Sequence, residues 1–235
     1  MKNTFLIIAA ILLAVSAGSS QTSGKDAYQV GSVTISVPPP KGFENVIGTI
    51  PDDHDRFSPN PKGGLLAIQL RSDVISQLRR TPLMPLDVYT RVVVAPEVAN
   101  EVITPALFAE VVAASRGGFD SLYDKNGEVM VSAKANISEW ATHVRGRQTD
   151  VDVTKPLNLG FFNESPDSFS TLMLITIDFG GNKIPMLIST SMLRINDRLI
   201  NASVYKRSPT EKDIEIITTF TKAWTSSIFA ANRDH

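Results

Sequence analysis

Between Tyr28 and Val37 the sequence YQVGSVTISV alternates after Gly31, with Val33, Ile35 and Val37 on one side and Ser32, Thr34 and Ser36 on the other. That period predicts a half-buried strand. Pro38-Pro39-Pro40 ends it, because proline has no N–H to give a ladder, and Gly42-Phe43 turns the chain and returns an aromatic side chain toward the core. Ile50 to Gly64 carries Pro51, Pro59, Pro61, Gly63 and Gly64 and reads as a long exposed loop. The apolar run Leu65 to Leu70 and the β-branched run Val88 to Ala95 predict buried strands, separated by a segment bearing arginines and prolines.

The period then changes. From Pro105 to Leu122, Leu107, Phe108, Val111, Val112 and Ala114 recur at helical spacings, with Thr104 placed to cap and Pro105 in the first helical position. Gly117-Gly118 should weaken or end this helix. Glu128 to Val144 is mixed: Val129 and Val131 alternate, while Ala133, Ile137, Trp140, Ala141 and Val144 recur at helical spacing, and the balance favours helix over strand. From Leu157 onward strands return, at Leu159 to Asn163, Thr171 to Phe179, Ile184 to Leu193 and Leu199 to Tyr205. Gly180-Gly181-Asn182 and Asn196-Asp197 supply hairpin turns, so this half should form an antiparallel meander.

The C-terminal pattern is the clearest. Ser208 can cap, Pro209 occupies the first helical position, and Glu211 completes a capping box. Ile214, Ile217, Thr221, Trp224 and Ile228 then line one face, flanked by Ile216, Phe220 and Ala223. The natural target of that face is the adjacent meander. The expected fold is therefore α+β: an antiparallel β-sheet meander packed against helices, sandwich-like in an α/β/α sense, with a long C-terminal helix. No internal repeat or linker interrupts residues 25–235, which read as a single α+β domain.

The first residues follow another logic. Lys2, the apolar run Phe5 to Val15 and the small residues Ser16 to Ser20 match a signal peptide over residues 1–20. The apolar core falls short of the roughly 20 residues that a membrane-spanning helix needs, so no stable membrane insertion is expected after cleavage. Val15 with Ala17, or Ala17 with Ser19, satisfies the small-residue rule for the cut. The expected localisation is export, periplasmic or secreted.

Composition narrows the chemistry further. Across 235 residues, 23 Lys+Arg face 24 Asp+Glu, a formal net charge of −1, which gives no field for nucleic acid. The chain has no cysteine, which excludes disulfides and thiolate chemistry and leaves an exported protein to hold its core by burial alone. Of three histidines, His54 sits in the one local cluster of metal-capable groups, Asp52, Asp53, His54 and Asp55. That spacing lacks the turn glycine and terminal glutamate of a calcium loop, and a solvated turn explains it as well. No Gly-x-Ser-x-Gly nucleophile elbow occurs, and the glycine pairs lack the strand–glycine–helix context of a phosphate cradle. No cofactor site and no catalytic constellation is expected. Sequons at Asn136, Asn163 and Asn201 read as chance occurrences.

The order of a signal peptide, a first strand ending in Pro and then Gly-aromatic (Val33 to Phe43), a central helical stretch, and a hairpin meander feeding a long last helix with Trp224 and Ile228 resembles uncharacterised exported bacterial proteins. More loosely it resembles the PsbP/Mog1-like fold that includes the DcrB-type envelope proteins. The resemblance implies a sandwich around an antiparallel sheet and a binding or accessory role, and it transfers no site residue. The expectation is an exported, non-catalytic protein that binds an envelope protein or a small ligand. The alternative is a secreted hydrolase with a site assembled from His143, Asp55 or Glu139.

Overall fold

The computed structural model describes residues 22–24, 26–47, 64–78, 80–81, 84–124 and 127–233. Residues 1–20 and the Asp52–Asp55 cluster lie outside this set, as does most of the expected Ile50 to Gly64 loop. The strands are β1 (Thr22–Gly24), β2 (Ala27–Val30), β3 (Val33–Ser36), β4 (Phe43–Asn45), β5 (Gly64–Arg71), β6 (Val88–Val94), β7 (Val151–Val153), β8 (Leu157–Ser165), β9 (Ser168–Phe179), β10 (Asn182–Ile195) and β11 (Arg198–Arg207). The helices are α1 (Ser72–Leu78), α2 (Pro105–Leu122), α3 (Glu128–Arg145) and α4 (Glu211–Ala230), with a short 3-10 turn at Pro96–Val98.

β4 to β11 build one antiparallel eight-stranded sheet in the order β4-β5-β6-β11-β10-β9-β7, with β8 also pairing β9. Long hairpins make its centre. β9 and β10 turn at Gly180 and Gly181, at φ 66° and 95°, while β10 and β11 turn at Asn196 and Asp197, at φ 49° and 56°. Both turns use the left-handed backbone that matches the twist of paired strands. The meander expected after Leu157 is thus a four-stranded run, β8 to β11, and β6 extends it beside β11.

Side chains alternate across this sheet and divide the molecule into layers. One face carries Val92, Val94, Leu172, Leu187, Leu193, Ile200, Ala202 and Val204, and these pack against Ile217, Trp224 and Ile228 of α4. The opposite face is covered in sections. Phe108 and Val111 of α2 pack on Phe169, Met192 and Leu199. Met130 and Ala141 of α3 pack on Val151, Val153, Ile175 and Met186, and Ile75 and Leu78 of α1 pack on Leu65, Ile68 and Leu70. Helix, sheet and helices form the expected α+β sandwich.

The N-terminal segment departs from the expectation of one strand. Gly31, at φ 59°, reverses the chain and makes β2 and β3 a hairpin. Tyr28, Val30, Ile35 and Val37 are buried in the α4-side core, so the alternation is real but is split between two strands. The hairpin is tied down at three places. The Tyr28 hydroxyl accepts from Asn45 Nδ2 at 2.5 Å, Pro38 O accepts from Trp224 Nε1 at 3.0 Å, and Ser36 exchanges hydrogen bonds with the Asn232 carboxamide.

Other differences have local causes. Helix α2 begins as expected, with the Thr104 hydroxyl accepting from Leu107 N at 3.2 Å, but it runs through Gly117-Gly118 to Leu122. Phe119, buried against Phe161 and Tyr123, holds the last turns. Helix α1 and strand β7 have no counterpart in the pattern reading, because each is too short to show a period. The α4 cap lies two residues later than Ser208: Thr210 is the cap, and the Asp213 carboxylate accepts from its N–H at 2.7 Å and its hydroxyl at 2.8 Å. Ser208 has φ 47° and belongs to the turn before it. The buried face of the helix begins at Ile217, so Ile214, expected on that face, and Ile216, expected beside it, are 39% and 58% exposed.

Candidate functional site

Antiparallel register places Ile68, Arg91, Ser203, Thr190 and Thr171 opposite one another across β5, β6, β11, β10 and β9. Register partners share a face, and Val92 points to the α4 side, so this row faces the α2–α3 side. Apart from Ile68 the row is polar. Ser203 and Thr171 are buried, Thr190 and Arg91 half-buried. The Thr190 and Ser203 hydroxyls lie 3.1 Å apart and hydrogen-bond to each other.

Arg91 is the unusual member. Its Nε is fully shielded from water and has no hydrogen-bond partner, and among the described residues the guanidinium makes no ion pair. A half-buried cation without an acceptor costs free energy in a folded protein unless something else supplies the anion. The next row along the strands is aromatic. Tyr89 and Tyr205, register partners on β6 and β11, stack with ring centroids 4.6 Å apart and planes within 4°. Tyr123, just past the end of α2, packs on the same cluster.

Burial pushes the Tyr89 phenol well above the ordinary phenol range, with a smaller push from Tyr205 and a pull downward from Arg91. Burial also raises Tyr123, again with Tyr205 adding to it. Both phenols are therefore neutral at physiological pH and able to donate. The site thus combines a permanent cation, neutral phenols and hydroxyls, with no carboxylate in its polar row.

Of the metal and catalytic candidates picked out by sequence, only Glu139 has a described side chain. Asp52, Asp53, His54 and Asp55 lie outside the described residues, and so does the side chain of His143. Glu139 is exposed on α3, where it lines a hollow of about 400 Å³ with Ser138, Thr142, Thr149 and Asp150. Among the described residues no three His, Asp or Glu side chains gather into a metal-sized cluster. Gly180-Gly181 is a hairpin turn, its Gly181 N–H donating to Asp178 Oδ1 at 2.6 Å. Asn201 is buried and Asn163 donates to Thr225 Oγ1 at 3.0 Å, so neither sequon presents a free amide. Sequence reading missed Arg91 and its neighbours. The available signal was a lone arginine in the β-branched run VYTRVVV.

No family model matches the chain, and no curated protein does. Among solved structures, it is similar to a point mutant of the protein Mog1, at 12% identity over 91% of this chain and 92% of that one, with a TM-score of 0.31. It is similar also to the Saccharomyces cerevisiae Ran-binding protein Mog1p, at 11% identity over 89% and 93% of the two chains, with the same TM-score of 0.31. Overlap of that size leaves the PsbP/Mog1-like likeness as a resemblance and carries nothing about function.

Proposed function

We propose that this protein is an exported, non-catalytic binding protein whose ligand site is the sheet face around Arg91. The observation that carries the reading is the half-buried guanidinium with a shielded, unpartnered Nε. An arginine in that position is a liability to the empty fold and an asset once an anion is present. The Ser203 and Thr190 hydroxyls of the same row can donate hydrogen bonds, which suits recognition of an acceptor. Export rests on the N-terminal pattern of Lys2, the apolar run and the small residues that follow.

Thermal unfolding of Arg91→Met in buffer free of organic and oxyanion ligands tests the reading. Removal of an unsatisfied charge should leave the ligand-free protein as stable as the parent or more so. A large drop in the melting temperature would make Arg91 a structural residue and overturn the proposal. Export is tested separately, by determining the N-terminal residue of the protein recovered outside the cytoplasm; an intact Met1 would refute it.

A further inference from the structure

We draw no further inference here: the strongest candidate, the outer edge of strand β8 with Leu157 59% and Leu159 36% exposed, carries irregular pairing between Asn158 and Gly160 and between Phe162 and Ser165 of the kind that blunts an edge against strand addition, and nothing in the structure shows what covers it.

Discussion

The side-chain amide of Asn232 and the backbone of Ser36 hydrogen-bond in both directions, with Ser36 N donating to Oδ1 at 2.9 Å and Nδ2 donating to Ser36 O at 2.8 Å. Nδ2 also donates to Ile228 O at 2.7 Å, near the end of α4. One carboxamide thus acts as a strand neighbour to β3 and as a stop for the last helix. Replacement by alanine would leave the buried Ile228 carbonyl and the half-buried Ser36 backbone without this partner. We expect Asn232→Ala to cost about 1–3 kcal/mol in urea denaturation, and an unchanged midpoint would show that the clasp contributes nothing.

Gly31 and Gly180 provide a matched pair. Both have positive φ, 59° and 66°, but a Cβ on Gly31 would meet Ala99 O at 2.5 Å and Arg198 Nε at 3.2 Å, whereas one on Gly180 would meet nothing within 4 Å. Gly180→Ala should cost about 1 kcal/mol, the backbone penalty alone. Gly31→Ala should cost clearly more, because Arg198 is buried there and its Nη2 holds Ser32 Oγ at 3.1 Å. Equal midpoint shifts for the two variants would contradict the close packing of the β2–β3 turn.

Acid stability should depend on Asp213. Hydrogen bonds from Thr210 hold its carboxyl below the ordinary carboxylate range, backbone first, with the nearby Lys206 ammonium adding a little. A depressed folded-state pKa means stability that is present above the unfolded value of about 3.9 and lost as pH falls through the folded one. The Asp213→Asn variant should therefore show a shallower fall in stability below pH 4 than the parent. Parallel acid limbs would remove the cap from the account.

Alkaline stability has the opposite sign and a different origin. Burial raises the phenols of Tyr28, Tyr89 and Tyr123 above the ordinary range. The unfolded chain releases these protons near pH 10 while the folded chain keeps them, so stability is full below about pH 10 and declines as pH rises beyond it. Absorbance titration at the phenolate band should show these three groups ionising late and together with unfolding. Ordinary reversible titration of all the tyrosines in the native state would refute their burial.

Much of the fold is visible in the sequence because its elements are long and their periods clean. The sheet strands after Leu157, the α2 helix with its Thr104 cap and the Trp224 face of α4 all follow from spacing. What escapes detection is short or positional. Seven residues of α1 and three of β7 show no period, and the two-residue shift of the α4 cap turns on Asp213 outcompeting Glu211 as the box acid. The site is hidden for a further reason. Arg91, Ser203, Thr190 and Thr171 are scattered over more than a hundred positions of sequence, and only strand register brings them into one line. A polar residue in a strand looks solvent-facing until the helices over that face are known.

The clasp at Ser36 and Asn232 has a bearing on how the chain reaches its native state. Trp224 and Asn232 close a core whose other wall is the β2–β3 hairpin, joined to them across separations of 186 and 196 residues. The layer between hairpin and α4 therefore forms only once both of its walls are present. Contacts this far apart in the sequence close slowly. Until then the hairpin's Tyr28, Val30, Ile35 and Val37 have no cover, which makes the growing chain a substrate for whatever binds exposed apolar strands.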